Sequence, residues 1–380
     1  MSNTATAMPV LQERHGGFNY GYRMKCECGG TSYISAADYH AEQTVDALMP
    51  CDHCDRTIHF GPAVAALRDQ DDPALDNARI NQLAWYHTSA SRDWPSMTYA
   101  SDRREQLLAG ARRLHLPADR VNYYVERELN LALHVGTYEA AIENMLRRMH
   151  DQDDAASQFY LHRVSLTVDP VRVDGGYRDE NDEPAAKLAT TDLRTAGLDA
   201  VRYLNVHECA GSLSLAVLPE TINRVQTIGL SVASLASAHP ASLLNLLDQV
   251  QRRLDDLRAT APDTSGIAPR RLRMMQLGGA LDPDGIGAAS AQHEQNRYEL
   301  WDSVNTALAK QYLADISPLL LNEFEQAMSA WHREQAAPTV RAVADFFAAS
   351  AIALTHPSAI TDLLTAQEPR AITGTTSRQY

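Results

Sequence analysis

Cysteine is scarce in this chain, with five in 380 residues, and phenylalanine nearly as scarce, with six. Four of the cysteines crowd between Cys26 and Cys54 while Cys209 stands far off, so a disulfide framework spread over the chain is excluded. Positive charge is also in short supply. The 34 Lys and Arg face 48 Asp and Glu, a formal net charge of −14, which excludes a surface that coats polyanions over its whole extent but leaves room for a local basic groove. Long apolar runs are missing: no stretch reaches the roughly 20 apolar residues of a bilayer-spanning helix. The start, Met1-Ser2-Asn3-Thr4-Ala5-Thr6, lacks the basic-then-apolar pattern of a secretory leader. The expectation is a soluble, cytoplasmic protein with no membrane partner. What is present is ample for a core: 44% hydrophobic against 22% charged residues is a globular composition, and the length predicts two or three units.

The scarce cysteines are arranged as Cys26-Glu27-Cys28-Gly29-Gly30 and, 22 residues on, Cys51-Asp52-His53-Cys54. Two thiolate pairs on tight turns complete a closed tetrahedral site, whereas a catalytic zinc needs three protein ligands and an open position. Gly29 and Gly30 permit the positive φ such a knuckle uses. Aromatic and β-branched residues flank both pairs (Phe18, Tyr20, Tyr22, Tyr33, Ile34, Ile58, Phe60), predicting short strands and a zinc-ribbon-like module with a structural Zn2+ on Cys26, Cys28, Cys51 and Cys54. His53 and His59 are the substitute ligands, and four reduced cysteines without metal are the plainer alternative.

Punctuation and periodicity divide the chain into a ribbon module over 1–70, a central domain over 71–228 and a helical domain over 229–380. The polar break Gln70-Asp71-Asp72-Pro73 separates the first two, with a short helix expected over 62–67. In the central part, Leu107, Ala111 and Leu114 mark a helical face, while 131–135 and 160–168 read as strands. Asp174-Gly175-Gly176 and 179–184 form an acidic, turn-rich loop. The mixture predicts an α+β fold. Beyond Ile228, Leu243, Leu247, Val250, Leu254 and Leu257 make a helical seam. The Pro- and Gly-rich stretch 259–290 reads as a long loop. Helical stripes resume at Leu300, Trp301, Val304, Leu308 and Tyr312, then over 319–331 and 340–354, so a helical bundle is expected, with a frayed tail over 373–380. Arg252, Arg253, Arg270, Arg271 and Arg273 are interspersed with acids and read as a solvated face.

Four short central segments carry chemistry together. They are Leu83-Ala84-Trp85-Tyr86-His87-Thr88-Ser89; then Leu131-Ala132-Leu133-His134-Val135-Gly136-Thr137-Tyr138-Glu139-Ala140-Ala141; then Tyr203-Leu204-Asn205-Val206-His207-Glu208; and Gly211-Ser212-Leu213-Ser214-Leu215. A strand-terminal His-Thr-Ser, a His-x-Gly-Thr leading into an Ala-Ala helix, and a late Tyr-x-Asn-x-x-Glu followed by Gly-Ser-x-Ser resemble, in that order, the ADP-ribosyltransferase superfamily. The resemblance is to the bacterial and phage members near the diphtheria-toxin and poly-ADP-ribose polymerase branch. It covers about Ala78 to Val225.

The resemblance implies an enzyme with NAD as substrate, bound in the cleft of a split antiparallel sheet. Nicotinamide would leave through an oxocarbenium-like cation, against which a carboxylate is worth most in the transition state. Glu208 is then the acid, with His87 and His134 holding NAD. Thr88, Ser89, Gly136, Thr137, Tyr138, Ser212 and Ser214 would line the cofactor, Tyr138 as an alternative stacking ring. The acid's place could instead fall at the strand start near Ser212 or Ser214, and the roles of the two histidines could be exchanged. The implied partners are a macromolecular acceptor, protein or nucleic acid, and a neutralising or docking protein, as for a toxin, defence or phage effector. Two other functions stay open: an NAD glycohydrolase, if water reaches the cation first, and a non-catalytic scaffold that docks partners through ribbon and helices. Cys209 is a bystander, since no histidine is obliged to be its base.

Overall fold

The computed structural model describes residues 10–43, 45–60, 65–95, 104–105, 107–110, 112, 117–151, 154–180, 184–278 and 281–372. They form two compact units of mixed α and β structure. The first holds the described residues of Met1–Leu230, Ile316–Ala330 and His356–Tyr380; the second holds those of Ser231–Asp315 and Trp331–Thr355. The expected ribbon and central segments therefore share one unit, and two pieces of the expected helical segment return to it.

The N-terminal part is built from very short strands. β1 (Tyr22–Lys25) and β2 (Thr31–Ile34) pair antiparallel, from Tyr22 opposite Ile34 to Lys25 opposite Thr31. Alternation puts Tyr22 and Met24, and Ser32 and Ile34, on the buried side. Helix α1 (Ala36–Gln43) then crosses to a second hairpin, β3 (Leu48–Pro50) with β4 (Thr57–His59). The helix was not anticipated from the sequence, yet its start is written there. Ser35 Oγ accepts from Asp38 N at 3.1 Å and donates to Asp38 Oδ2 at 2.6 Å, an S-x-x-D cap. The helix expected over 62–67 does not extend to its last residues: 61–64 lie outside the described residues, and Ala65 instead bridges Met24 of β1. An apolar stretch beside an open strand edge satisfies its backbone by pairing with it.

The central part contributes β5 (Trp85–Ser89), α2 (Ala118–Leu129), β6 (Leu133–Val135), α3 (Tyr138–Asp151), β7 (Tyr160–Leu166), β8 (Arg178–Asp179), α4 (Thr190–Ala196), β9 (Ala200–Leu204), β10 (Leu213–Val217) and β11 (Ile222–Gly229). With β12 (Arg370–Ala371) these strands make two four-stranded sheets, ordered β12-β11-β7-β5 and β6-β10-β9-β8. All neighbours are antiparallel except β8 and β9. The sheets meet at one bridge, where Tyr86 and Gly136 exchange two backbone hydrogen bonds of 2.9 Å. Trp85, Val164, Leu166 and Val225 of one sheet and Val135, Leu204, Leu215 and Val217 of the other share a single apolar core. The second sheet's other face packs Val201, Tyr203 and Ala216 with Leu193 of α4. Of the helical face expected at Leu107, Ala111 and Leu114, the latter two lie outside the described residues, as does the tail 373–380.

Beyond β11 run α5 (Ala241–Ala259), α6 (Pro269–Met275), α7 (Ile286–Tyr312), α8 (Pro318–Glu334), α9 (Val340–Thr355) and α10 (Pro357–Thr365). The expected seam holds, with Leu243, Leu247, Val250 and Leu254 buried on α5 and Leu300, Val304 and Leu308 on α7. The long loop expected over 259–290 is corrected. Pro269 opens α6 at its first turn, and Gly285 in a left-handed conformation precedes α7. The Pro and Gly there punctuate helices rather than abolish them. Among the described residues, no single helix is long and apolar enough to cross a membrane.

Candidate functional site

The four N-terminal cysteines converge. Their sulfurs all lie within 4.8 Å of one another, with Cys26 Sγ 3.7 Å from Cys54 Sγ and Cys28 Sγ 3.7 Å from Cys51 Sγ. Thiolates bound at about 2.3 Å around a tetrahedral metal lie about 3.8 Å apart, so the cluster has the dimensions of a four-thiolate site. Each knuckle is set by its backbone. Gly29 has φ +86° and its N–H donates to Cys26 O, while Gly30 N and His53 N point at the sulfurs of Cys28 and Cys51 at 3.4 Å. Gly30 does not take the positive φ expected of it. A Cβ there would lie 2.4 Å from the His53 ring, so glycine is required for close approach instead. His53 Nε2 meets Thr31 O at 3.0 Å, and the metal-sized cluster consists of the cysteines without His53 or His59. The described geometry can hold a metal ion.

His87 and His134 sit on the two strands that adjoin at the sheet junction. His87 Nδ1 lies 2.9 Å from the carbonyl oxygen of His134, so Nδ1 carries the proton and donates. The His87 ring stacks on Trp94 at 3.9 Å and faces His162, its cross-strand neighbour on β7, at 6.2 Å. The His134 ring takes another direction: Nδ1 meets Tyr203 Oη at 3.0 Å, and Nε2 is buried with no partner. Burial holds all three imidazoles neutral, His134 at about 4 and His162 at about 3, with His87 well below its usual value through burial and then the nearby His162 and Arg148. Neutral rings donate and accept hydrogen bonds without offering charge.

Glu208 lies on the loop before β10. Its Oε1 is held by Arg147 and, at 3.2 Å, by Asn144 Nδ2, both from α3. Tyr203 is pushed well above the usual tyrosine range by burial and then by the charges of Glu180 and Glu208. His87 belongs to a separate contact set with Trp94 and His162. Two of the three expected catalytic residues, His87 and His134, thus adjoin the sheet junction, while Glu208 is held by α3, and no hydrogen bond or ion pair joins the three as a triad.

The remaining expected residues have local partners. Thr88 Oγ1 donates to Ala141 O at 2.8 Å and ties β5 to α3. Ser89 Oγ accepts from Ser91 N, and Thr137 Oγ1 accepts from Ala140 N at the start of α3. Ser212 and Ser214 both accept from Asn205 Nδ2 at 2.8 Å, a buried network that aligns the start of β10. Gly136 is there for close approach, since a Cβ would sit 2.4 Å from Ser214 Oγ. Tyr138 is corrected: it is 1% exposed and packed edge-on against His15, Phe18 and Tyr86, so its ring is not presented to a ligand. Cys209 is buried, accepts from Arg68 Nη2 at 3.1 Å, and burial pushes its thiol up to about 11, which disarms it as a nucleophile.

Sequence reasoning missed Trp94, His162, Asn144 and Arg147, and it read Tyr203 as part of a motif without giving it a role. A signal existed only for Tyr203 and His162, whose strands were legible; the partners from α3 and the 90–95 turn follow from packing alone. No family model, curated protein or solved structure matches this chain.

Proposed function

We propose that the chain transfers ADP-ribose from NAD to a macromolecular acceptor and that its four-cysteine cluster holds a structural zinc. The observation that carries the enzyme reading is the junction of two four-stranded sheets at Tyr86 and Gly136, with His87 and His134 on the two adjoining strands. That arrangement suits the split-sheet cleft implied by the sequence resemblance. NAD supplies the scissile glycosidic bond. His87, with Nδ1 committed to a carbonyl, keeps Nε2 as an acceptor for a ribose hydroxyl, and the buried, unpartnered Nε2 of His134 is a second polar atom for the same ligand. Arg147 and Asn144 hold Glu208 in one orientation, and a carboxylate fixed there is the group that would oppose a ribosyl cation. The serines at the β10 start act through Asn205 as positioning groups.

Incubation with NAD labelled in the adenylate half tests this. Label retained on protein or nucleic acid means transfer; free ADP-ribose alone means hydrolysis. Glu208→Gln should lower turnover by about 10²-fold or more, and His134→Ala should raise the NAD requirement. Absence of both products with every acceptor class, together with unchanged behaviour of Glu208→Gln, sinks the enzyme reading.

Two observations favour a non-catalytic scaffold: Trp94 covers a face of His87, and Arg147 is already paired with Glu208. For that reading, NAD at many multiples of any plausible Kd would produce no thermal shift, whereas a true ligand at 100 Kd adds about 2.7 kcal/mol.

A further inference from the structure

The hydrogen bonds around His134 decide where its ring carries a proton. His134 stands on β6 and Tyr203 on β9, and the strand between them, β10, sets Ala216 opposite His134 and Ser214 opposite Tyr203. These two small residues let the long side chains meet across the middle strand, edge-on, with ring centroids 5.6 Å apart. Tyr203 Oη then lies 3.0 Å from His134 Nδ1.

One proton occupies that contact. A phenol is a far stronger acid than a neutral imidazole N–H, and an imidazole nitrogen is a far stronger base than a phenol oxygen, so the hydroxyl donates. Burial, then the charges of Glu180 and Glu208, keep the proton on Tyr203, and a Ser214 hydrogen bond opposes them as a donor to the phenol oxygen does. Ser214 Oγ in turn accepts from Asn205 Nδ2 at 2.8 Å. With Nδ1 accepting and burial keeping the ring neutral, the proton of His134 sits on Nε2, and that atom is buried without a partner. A buried donor left unmet is destabilising, so it calls for an acceptor. His87 has the reverse arrangement. Its Nδ1 must donate, because the atom 2.9 Å away is the carbonyl oxygen of His134, and a neutral ring then leaves Nε2 as an acceptor.

We propose that Tyr203 is a positioning residue that fixes His134 as the Nε2–H tautomer, so that the two histidines read a ligand with opposite polarity. His87 takes the proton of a hydroxyl, and His134 donates to an oxygen that carries none, in a carbonyl or a phosphate. The inference rests on the NAD reading for its ligand, whose ribose hydroxyls, carboxamide and phosphates supply both kinds of group. The protonation it assigns is a property of the chain alone.

The experiment uses the full chain with isotopically labelled histidine nitrogens, where two-bond proton–nitrogen correlations read the tautomer of each neutral ring. Signals lost in His87→Gln and His134→Gln assign the two residues. His87 should carry its proton on Nδ1 and His134 on Nε2; a His134 proton on Nδ1 overturns the proposal whatever NAD does. Tyr203→Phe removes only the hydroxyl. It should release His134 into a mixture of tautomers and raise the KM for NAD about tenfold with a smaller change in kcat, since one hydrogen bond is at stake. A purely structural tyrosine would lower the melting temperature and leave the His134 tautomer unmoved, and that result removes the positioning role. His134→Gln keeps a donor near the Nε2 position and should hold KM within about threefold of the parent, whereas His134→Leu should raise it about tenfold. Equal losses in the two variants overturn the donor assignment. An Nε2–H on His134 that NAD leaves untouched, with no turnover, sinks the NAD reading and leaves the assigned polarity standing.

Discussion

Replacing Cys51 by Ser tests the proposed zinc at the part of the fold with the shortest hairpins. The ribbon strands are three or four residues long, and its buried cluster amounts to nine residues, two of them the ligands Cys26 and Cys51 themselves. Hairpins this short are marginal in water by themselves, so the proposed zinc would add a large share of the ribbon's folding free energy. A structural zinc contributes on the order of 10–16 kcal/mol through four thiolates, so losing one costs about 3–4 kcal/mol. That is a weakening of metal affinity by a few hundredfold. The prediction is one zinc per parent chain by elemental analysis, loss of that zinc from Cys51→Ser at chelator concentrations the parent survives, and early melting of the ribbon. Cobalt exchanged into the parent should show the visible bands of a tetrahedral thiolate centre, and the variant should lose them. Cys209→Ser, outside the four-cysteine group, should keep the metal. The reasoning fails if the parent carries no metal, if Cys51→Ser retains it at parental affinity, or if chelation leaves the melting curve unmoved.

Glu143 should make stability fall with rising pH. Its folded value of about 7 lies above the ordinary 4.5, so the folded state binds the extra proton between them. The contribution is fully present below about pH 4.5 and is lost as pH rises through about 7, a swing of about 3 kcal/mol. Urea midpoints of parent and Glu143→Gln should therefore diverge with pH across that window, and parallel curves would refute it. Gly136→Ala forces a Cβ to within 2.4 Å of Ser214 Oγ and 3.2 Å of Ala140 Cβ, which should cost about 1–3 kcal/mol, with partial rescue by Ser214→Gly. No rescue would mean the strain lies elsewhere. Arg202 is fully buried and donates to Ala74 O at 2.5 Å, to Asn77 Oδ1 at 2.6 Å and to Gly176 O. Arg202→Met orphans these acceptors and should cost about 3 kcal/mol in chemical denaturation; a loss under 1 kcal/mol would show that water takes over.

Local pattern carried much of the fold. The strands at Trp85–Ser89 and Tyr160–Leu166 and the seam Leu243 to Leu254 follow from residue periodicity, which reports which face of an element is dry. The 259–290 stretch misled because Pro and Gly mark helix ends as readily as loops, and only packing shows which. A Cβ on Gly287 would lie 2.3 Å from the backbone of Met275, a closeness no local rule reveals.

The candidate site divides the same way. The cysteine spacing by itself determined a four-ligand cluster, because two thiolate pairs on tight turns have few other uses. Which groups His87, His134 and Glu208 would meet was decided by tertiary structure. Trp94 arrives from the turn after β5, Tyr203 from β9, and Arg147 and Asn144 from α3, 61 and 64 residues from Glu208 in sequence. A short motif encodes the donors and acceptors a strand end offers. The charge, orientation and solvation of those groups depend on distant segments brought together by the shared core.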